Sequence, residues 1–189
     1  MNQNNPESAD DIIKACCNWL DDIVIGENFC PFAKRERERG SIRFALAPQA
    51  ALESALQFFA DELLLLDDDP AIETSLLIYP QGFDDFDDYL ELLEYAQEVL
   101  ASIGFEGRYQ LASFHPRYCF EGCAEDDAEN YTNRSPWPIL HLIREDSVSR
   151  AADNYPAIDE IPRRNIEHAR KIGRHALRQR LQNCYPTSS

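Results

Sequence analysis

The sequence TSLLIY (residues 74–79) is a nearly continuous apolar run, and the turn residues PQG (80–82) close it. Such a run between turn residues is typical of a strand that is buried on both faces. A helical pattern precedes it from Pro48 to about Leu66, and another follows it from Asp84 to Ile103. The centre of the chain therefore predicts a buried strand between two helices.

The sequence on either side of this centre predicts further elements. We expect an N-terminal helix at residues 9–25 and three more strands at 42–47, 109–114 and 139–143. Two C-terminal helices are expected at 146–152 and 162–181. The first three strands are joined by helical crossovers and should be parallel, whereas the fourth follows the third directly and should be antiparallel.

These elements predict an α/β fold in one domain over residues 9–183. About four strands form a mostly parallel sheet with one antiparallel strand, covered by helices. A flexible tail (1–8) and a C-terminal tail (184–189) flank the domain. A chain of 189 residues suits a single domain of this kind.

The charge of the chain is strongly acidic and unevenly distributed. The net charge is −16; residues 44–129 carry 20 acidic against 2 basic residues, and residues 130–189 carry 10 basic against 6 acidic. An acidic surface repels phosphates and anionic lipids, which argues against nucleic-acid and membrane partners. With neither a signal-peptide pattern nor a membrane-spanning run, we expect a cytoplasmic protein with reduced thiols. The sequence leaves the oligomeric state open.

Polar residues gather where ligands bind in α/β sheets, beyond the carboxyl ends of the strands. His115 ends the third strand, and an antiparallel fourth strand would begin at the same rim. The long loop between them carries four further candidate ligand-binding residues: Asn130, Asn133, Arg134 and Ser135. The alternative is that Asn133 and Ser135 only satisfy backbone groups of turns.

The fourth strand carries two more candidates on opposite faces. Strand alternation places His141 on one face and Arg144 on the other. A histidine among apolar residues is more often a hydrogen-bonded core residue than a catalyst. A half-buried arginine must find a carboxylate or a ligand anion, and structural pairing is the plainer explanation.

Cys30 is the candidate nucleophile. It lies in a loop with Lys34 and Arg35 close behind, and nearby positive charge lowers the pKa of a thiol. With His115 it would form a nucleophile–base couple. The alternative is a small hydrophobic residue packed between Phe29 and Phe32.

A metal site is a further hypothesis. His115, Cys119 and Cys123 form an H-x3-C-x3-C pattern of residue types that bind transition metals. Zinc sites more often use C-x2-C spacing, and no fourth ligand is evident, so we assign no metal ligand. No glycine-rich phosphate loop or dinucleotide motif is present, and the cofactor stays unknown.

Three motifs follow one another along the chain. They are GENFCPFA (26–33), SFHP (113–116) with Phe120, and NYTNRSP (130–136) continued by LHLIRE (140–145). In this order they resemble the bacterial proteins grouped as domain of unknown function 1415, over about residues 19–173. The resemblance implies no activity, substrate or cofactor. It implies that the family pattern includes Cys30, His115, Asn130, Asn133, Arg134, His141 and Arg144, and that Cys119 and Cys123 depart from it.

The leading functional hypothesis is an enzyme that acts on a small anionic molecule. Arg134 and Arg144 would bind the anion, His115 would be the acid/base, and Cys30 would be a nucleophile or a pocket wall. His141 is a further catalytic candidate. Two alternatives remain, namely a non-catalytic protein-interaction module and a metal-binding protein.

Overall fold

The computed structural model describes residues 8–154 and 158–186. The helices are α1 (Ala9–Trp19), α2 (Ala33–Arg39), α3 (Leu52–Asp68), α4 (Phe86–Ser102), α5 (Glu145–Asn154), α6 (Ile161–Ile172) and α7 (Arg174–Asn183). The strands are β1 (Ile42–Leu46), β2 (Thr74–Ile78), β3 (Tyr109–Phe114) and β4 (Ile139–Arg144). A π-helix (Leu20–Ile25) continues α1, and two short 3-10 helices cover Ala128–Thr132 and Ile158–Glu160.

The four strands form one mixed sheet in the order β1-β2-β4-β3. Only β1 and β2 pair in parallel, whereas β4 pairs antiparallel with both β2 and β3. The prediction of a four-stranded α/β sheet covered by helices is confirmed, but the prediction of a mostly parallel sheet is wrong. The physical reason is that β4 enters the sheet between β2 and β3, so that most strand pairings are antiparallel.

Hydrophobic cores lie on both faces of this sheet. On one face, Leu77 and Tyr79 pack with apolar residues of α3 and α4. On the other face, Leu76 and Ile78 pack with residues of α1, the π-helix, α6 and α7. The sheet is therefore the middle layer between two helical layers, and this double burial explains the continuous apolar run in β2.

Several helices depart from their predicted bounds. The N-terminal helix changes from α to π at Leu20, and the single C-terminal helix is divided at Gly173, whose φ is +83°. Glycine accepts this left-handed conformation at little cost, so the chain can turn there between α6 and α7.

The two predicted tails fall mostly beyond the described ranges. Residues 1–7 and 187–189 lie outside them, whereas Ser8 caps α1 by accepting a hydrogen bond from the Asp11 N–H at 3.2 Å. At the other end, Cys184 is fully buried and the Tyr185 hydroxyl donates to the Pro136 carbonyl at 2.7 Å. Within the described ranges, no helix combines the length and hydropathy needed to cross a membrane.

Candidate functional site

A cleft of about 360 Å³ opens between the end of the π-helix, the end of β3 and the first turns of α6. We call it the Cys30 cleft. Its walls are mainly apolar and come from Val24, Phe29, Phe114, Phe120, Ile161, Pro162 and Ile166. The polar residues that line it are Cys30, Thr132, Asn133 and Asn165. A concave, mostly apolar site with a few polar groups is the usual form of a small-molecule site.

The π-helix positions Cys30 at this cleft. Its wide turn lets the Phe29 and Cys30 N–H groups both donate to the Val24 carbonyl, at 2.9 and 3.4 Å. Gly26 ends the π-helix where a Cβ would stand 2.3 Å from the Asp22 carbonyl oxygen, so a side chain does not fit. Asn28 then reverses the chain with φ of +55°, a conformation that asparagine tolerates. π-helical turns occur frequently at functional sites.

Cys30 is half-buried in the cleft wall, in the segment just before α2. Burial raises the pKa of this thiol, and the Phe32 and Ala33 backbone N–H groups oppose that shift only in part. The shift is thus opposite to the one expected from the positive charges of Lys34 and Arg35. Cys30 is therefore a neutral thiol near pH 7.

His115 lies on the other face of the sheet from the Cys30 cleft. Its ring is fully buried and contacts Phe86 and Tyr89, with ring centroids 5.1 and 5.0 Å away. Its Nε2–H donates to the Phe83 carbonyl at 2.9 Å, and its Nδ1 accepts the Arg117 N–H at 3.0 Å. Burial also lowers the pKa of this imidazole. The structure therefore does not bring His115 and Cys30 together.

Asn130 and Ser135 hold the long loop from within. Asn130 is fully buried; its Oδ1 accepts the Phe120 N–H at 3.0 Å and its Nδ2 donates to the Ala124 carbonyl at 2.8 Å. The Ser135 hydroxyl donates to the Trp137 carbonyl. Both side chains satisfy backbone groups of the loop.

Asn133 is the predicted loop residue that reaches the Cys30 cleft. Its Nδ2 donates to the Ser113 carbonyl at 3.1 Å, and its carbonyl accepts the His115 N–H at 3.1 Å. These bonds tie the start of β4 to the end of β3, as an antiparallel fourth strand requires. Of the predicted site residues, Cys30 and Asn133 line the Cys30 cleft.

Arg134 lies beside the loop rather than in the cleft. Its Nε donates to the Tyr118 carbonyl at 3.1 Å and its Nη2 to the Glu125 carbonyl at 2.7 Å. The guanidinium carbon lies 4.6 Å from the centroid of the Tyr131 ring. A cation over an aromatic face is stabilised by the ring quadrupole, so Arg134 acts as a clamp on the loop.

Arg144 lies at the opposite end of β4 from Arg134. It pairs in register with Tyr109, whereas Ile139 at the other end pairs with Phe114. Its guanidinium donates to the Leu66 carbonyl at 2.5 Å and to the Ile72 carbonyl at 3.0 Å. Arg144 thus caps the end of α3, and the two arginines do not share a site.

His141 lies in the middle of β4, between these ends. Its Nε2 is 2.6 Å from the Thr74 hydroxyl, which itself donates to the Leu142 carbonyl at 2.5 Å. The Nε2–H therefore donates to the Thr74 oxygen. Burial lowers the pKa of this imidazole to about 4, so His141 is neutral near pH 7.

The family comparison covers this whole arrangement. A family model described as "Protein of unknown function (DUF1415)" matches residues 11–179. The chain belongs to this family. No curated protein and no solved structure gave a match. The DUF1415 match includes every residue that lines the Cys30 cleft, and the resemblance expected from the three motifs is confirmed.

One group of side chains in this DUF1415 chain has metal-binding chemistry. The ligand atoms of Cys123, Asp127 and Glu129 lie within 4.8 Å of one another. However, the Arg170 guanidinium donates to both Glu129 carboxylate oxygens, at 2.5 and 3.2 Å. Glu129 thus already has a cation, and the residues present do not favour a second one. His115, from the H-x3-C-x3-C pattern, is not in this group.

Sequence reasoning missed the contribution of α6 to the cleft. The sequence of this helix is dominated by charged residues, and its pattern did not predict that Ile161, Asn165 and Ile166 line a cleft. The available signal was the i, i+4 spacing of Ile161 and Asn165, which places both on one side of an otherwise charged helix, with Ile166 next to Asn165. The Asn165 Nδ2 donates to the Phe29 carbonyl at 2.7 Å and fixes α6 against the Cys30 segment.

Proposed function

We propose that the protein binds a small, mainly apolar molecule in the Cys30 cleft. The observation that supports this proposal is the cleft itself, about 360 Å³ of mostly apolar space with a thiol in its wall. Binding sites for small molecules are commonly hydrophobic hollows of roughly this size with a few placed polar groups.

The walls indicate the chemistry of the ligand. Phe29, Phe114 and Phe120 offer aromatic surface that suits a flat apolar group. Within the described residues, the Asn165 Oδ1 carries no hydrogen bond, while its Nδ2 is engaged by Phe29. A ligand that carries one hydrogen-bond donor beside its apolar body would therefore satisfy the site.

Cys30 serves in this proposal as a contact residue with a neutral thiol. A nucleophilic role would need a base, and the ring nitrogens of His115 are both engaged on the other side of the sheet. A ligand anion would need a free cation, whereas Arg134 and Arg144 bind backbone carbonyls. The contacts of these residues therefore favour binding of an apolar molecule over catalysis on an anionic one.

The experiment is a fluorescence titration with the neutral hydrophobic dye Nile red. Ile166→Trp puts a bulky ring into the cleft and should abolish most of the dye signal. Ile103→Trp is the matched control, because Ile103 is 43% exposed at the end of α4, away from the cleft. Equal dye binding by both variants would refute the proposal.

A second measurement identifies the ligand class. Native and denatured masses of freshly purified protein are compared, and the excess mass in the native spectrum gives the retained molecule. Such a molecule should slow alkylation of Cys30 by N-ethylmaleimide while leaving alkylation of the partly exposed Cys17 unchanged. Equal protection of the two thiols would place the molecule outside the cleft.

A further inference from the structure

Two thiols flank the tight turn that carries Phe120 into the wall of the Cys30 cleft. The Cys123 N–H closes this turn on the Phe120 carbonyl at 3.0 Å, and Gly122 adopts φ of +79°. Because the turn folds the chain back, the Cys119 thiol lies 3.5 Å from the Cys123 carbonyl oxygen. Both cysteines are free and partly exposed.

The spacing of this turn suits a disulfide. The turn keeps the α-carbons of Phe120 and Cys123 within about 7 Å, Cys119 directly precedes Phe120 in the sequence, and a disulfide joins α-carbons that are about 5–6 Å apart. Cys119 precedes the turn and its sulfur already points at the backbone of Cys123. A disulfide would require both side chains to rotate and the turn to adjust.

The other cysteines are placed less well for oxidation. Cys16 and Cys184 are both fully buried, so a dissolved oxidant does not reach them. Cys17 lies on α1, and Cys30 lies before α2 in the cleft wall. Among the six cysteines, all of which the structure describes, Cys119 and Cys123 are the partly exposed pair at the two ends of one tight turn.

Asn130 connects this thiol pair to the cleft. Its Nδ2 lies 3.8 Å from the Cys119 sulfur, and its Oδ1 accepts the Phe120 N–H at 3.0 Å. The Phe120 ring packs against Tyr118 at 4.9 Å between centroids and lines the cleft. A disulfide would draw the Cys119 sulfur away from Asn130 and toward Cys123. Because Asn130 also accepts the Phe120 N–H, this movement would shift the peptide that orients the Phe120 ring.

We infer that Cys119 and Cys123 form a redox-modification site, whose disulfide alters the Phe120 wall of the Cys30 cleft. The oxidant is a peroxide. One thiol loses its proton, the thiolate attacks a peroxide oxygen, the O–O bond breaks, and a sulfenic acid and hydroxide form; the hydroxide takes up that proton and leaves as water. The second thiolate attacks that sulfur and expels hydroxide, which takes a proton as water. Overall, two thiols and one hydrogen peroxide give one disulfide and two waters.

The neighbouring carboxylates set the pH dependence of this oxidation. Burial and the negative charges of Glu129 and Asp127 raise the pKa of the Cys123 thiol, as does the neighbouring Cys119, while the Arg170 guanidinium opposes this shift. Because the thiolate is the reacting form, the oxidation rate should rise with pH above neutrality.

The test uses the full chain treated with hydrogen peroxide, followed by peptide mapping in a mass spectrometer. The expected product is a peptide that joins Cys119 to Cys123 and has lost two hydrogen atoms. Cys119→Ser should prevent this product, and Cys30→Ser should leave it unchanged. A disulfide that involves other cysteines, or sulfinic acid at Cys119 without a disulfide, would overturn the redox site.

The effect on the cleft rests on the proposed function and is measured separately. Displacing one aromatic contact is worth roughly 0.5–1.5 kcal/mol, so oxidised protein should bind the dye about two- to tenfold more weakly. Reduction with dithiothreitol should restore binding. A disulfide that leaves dye affinity unchanged would overturn the coupling to Phe120. A third outcome is that the disulfide forms but Ile166→Trp leaves the dye signal unchanged. That outcome would support the redox site and refute the proposed function.

Discussion

Gly82 stands after β2 at a point where no side chain fits. Its φ is +90°, and a Cβ would lie 2.4 Å from the Ala50 carbonyl oxygen. We expect Gly82→Ala to lower the free energy of unfolding by about 2–4 kcal/mol, because it adds an overpacked contact to backbone strain.

Gly107 provides the matched control for this substitution. Its φ is +75°, and a Cβ there would meet nothing within 4 Å. Gly107→Ala should therefore cost only the backbone strain, about 1–2 kcal/mol. Urea unfolding followed by circular dichroism measures both variants. Equal losses would show that the Ala50 contact relaxes without cost.

His141 should make stability depend on pH. Burial lowers the pKa of its imidazole from 6.5 to about 4. The unfolded chain therefore binds a proton between these values that the folded chain does not. The stabilisation is fully present above pH 6.5 and is lost as the pH falls toward 4, about 3 kcal/mol in all.

Replacing this imidazole should flatten the pH profile. His141→Gln keeps a donor near Thr74 but does not titrate, so the difference in urea midpoint between pH 7 and pH 5 should shrink. His175→Gln is the control, because His175 is exposed on α7. A wild-type slope in His141→Gln would assign the pH dependence to other groups. His115 and the carboxylates are the same in the wild-type protein and in both variants, so any contribution from them is common to all three.

For single residues, the sequence predicted which residue types lie at a site better than it predicted which way their side chains point. Cys30 and Asn133 were expected at a site and both line the cleft. Phe114 also lines the cleft, and His115 directly follows it in the sequence. Strand alternation nevertheless turns the two rings to opposite faces of the sheet. Contacts made by α6 bring distant parts of the chain together, and single-sequence patterns do not show them.

Arg144 joins two elements, because its guanidinium binds carbonyls at the end of α3 and in the turn that follows. It donates to Leu66, Asp69 and Ile72, and its Nη1 donates to the Tyr109 hydroxyl at 3.0 Å. We expect Arg144→Met to lower the free energy of unfolding by about 2–4 kcal/mol, since several partly buried acceptors lose a charged donor.

A neighbouring arginine tests whether burial accounts for this cost. Arg108 also lies near the end of α3, where it pairs with Asp67, but its side chain is 56% exposed. Arg108→Met should cost less than about 1 kcal/mol, as exposed ion pairs do. Thermal or urea unfolding of both variants gives the comparison. Similar losses would mean that Arg144 contributes as an ordinary surface charge.

The elements themselves were largely predictable, and their arrangement was not. The apolar run in β2 predicted a strand buried on both faces, and its neighbours in the core confirm it. The position of β4 between β2 and β3 depends on how a long loop closes over the sheet. The local spacing of apolar residues does not predict how that loop closes. The π-helix after α1 likewise depends on packing, since its apolar spacing matches an ordinary helix.

Over the whole molecule, opposite charges lie in different parts of the fold. Helices α3 and α4 contain ten acidic residues and no lysine or arginine. Some basic residues of α6 and α7 contact acidic groups in other elements, as in the pairs of Arg170 with Glu129 and Arg174 with Asp126. Two opposing effects of salt follow, because screening relieves repulsion between the acidic helices and weakens these pairs.

The magnitudes favour a net stabilisation by salt. Exposed pairs such as that of Arg174 are each worth about 0–1 kcal/mol, whereas a net charge of −16 opposes the compact state as a whole. The urea midpoint should therefore rise as sodium chloride increases from about 0.01 M to about 0.5 M, over which the screening length falls several-fold. Arg170→Gln breaks the pair with Glu129 and should steepen this rise, because less attraction remains to be screened. A midpoint that falls with salt in the wild-type protein would show that the α6–α7 ion pairs outweigh the repulsion of the acidic helices.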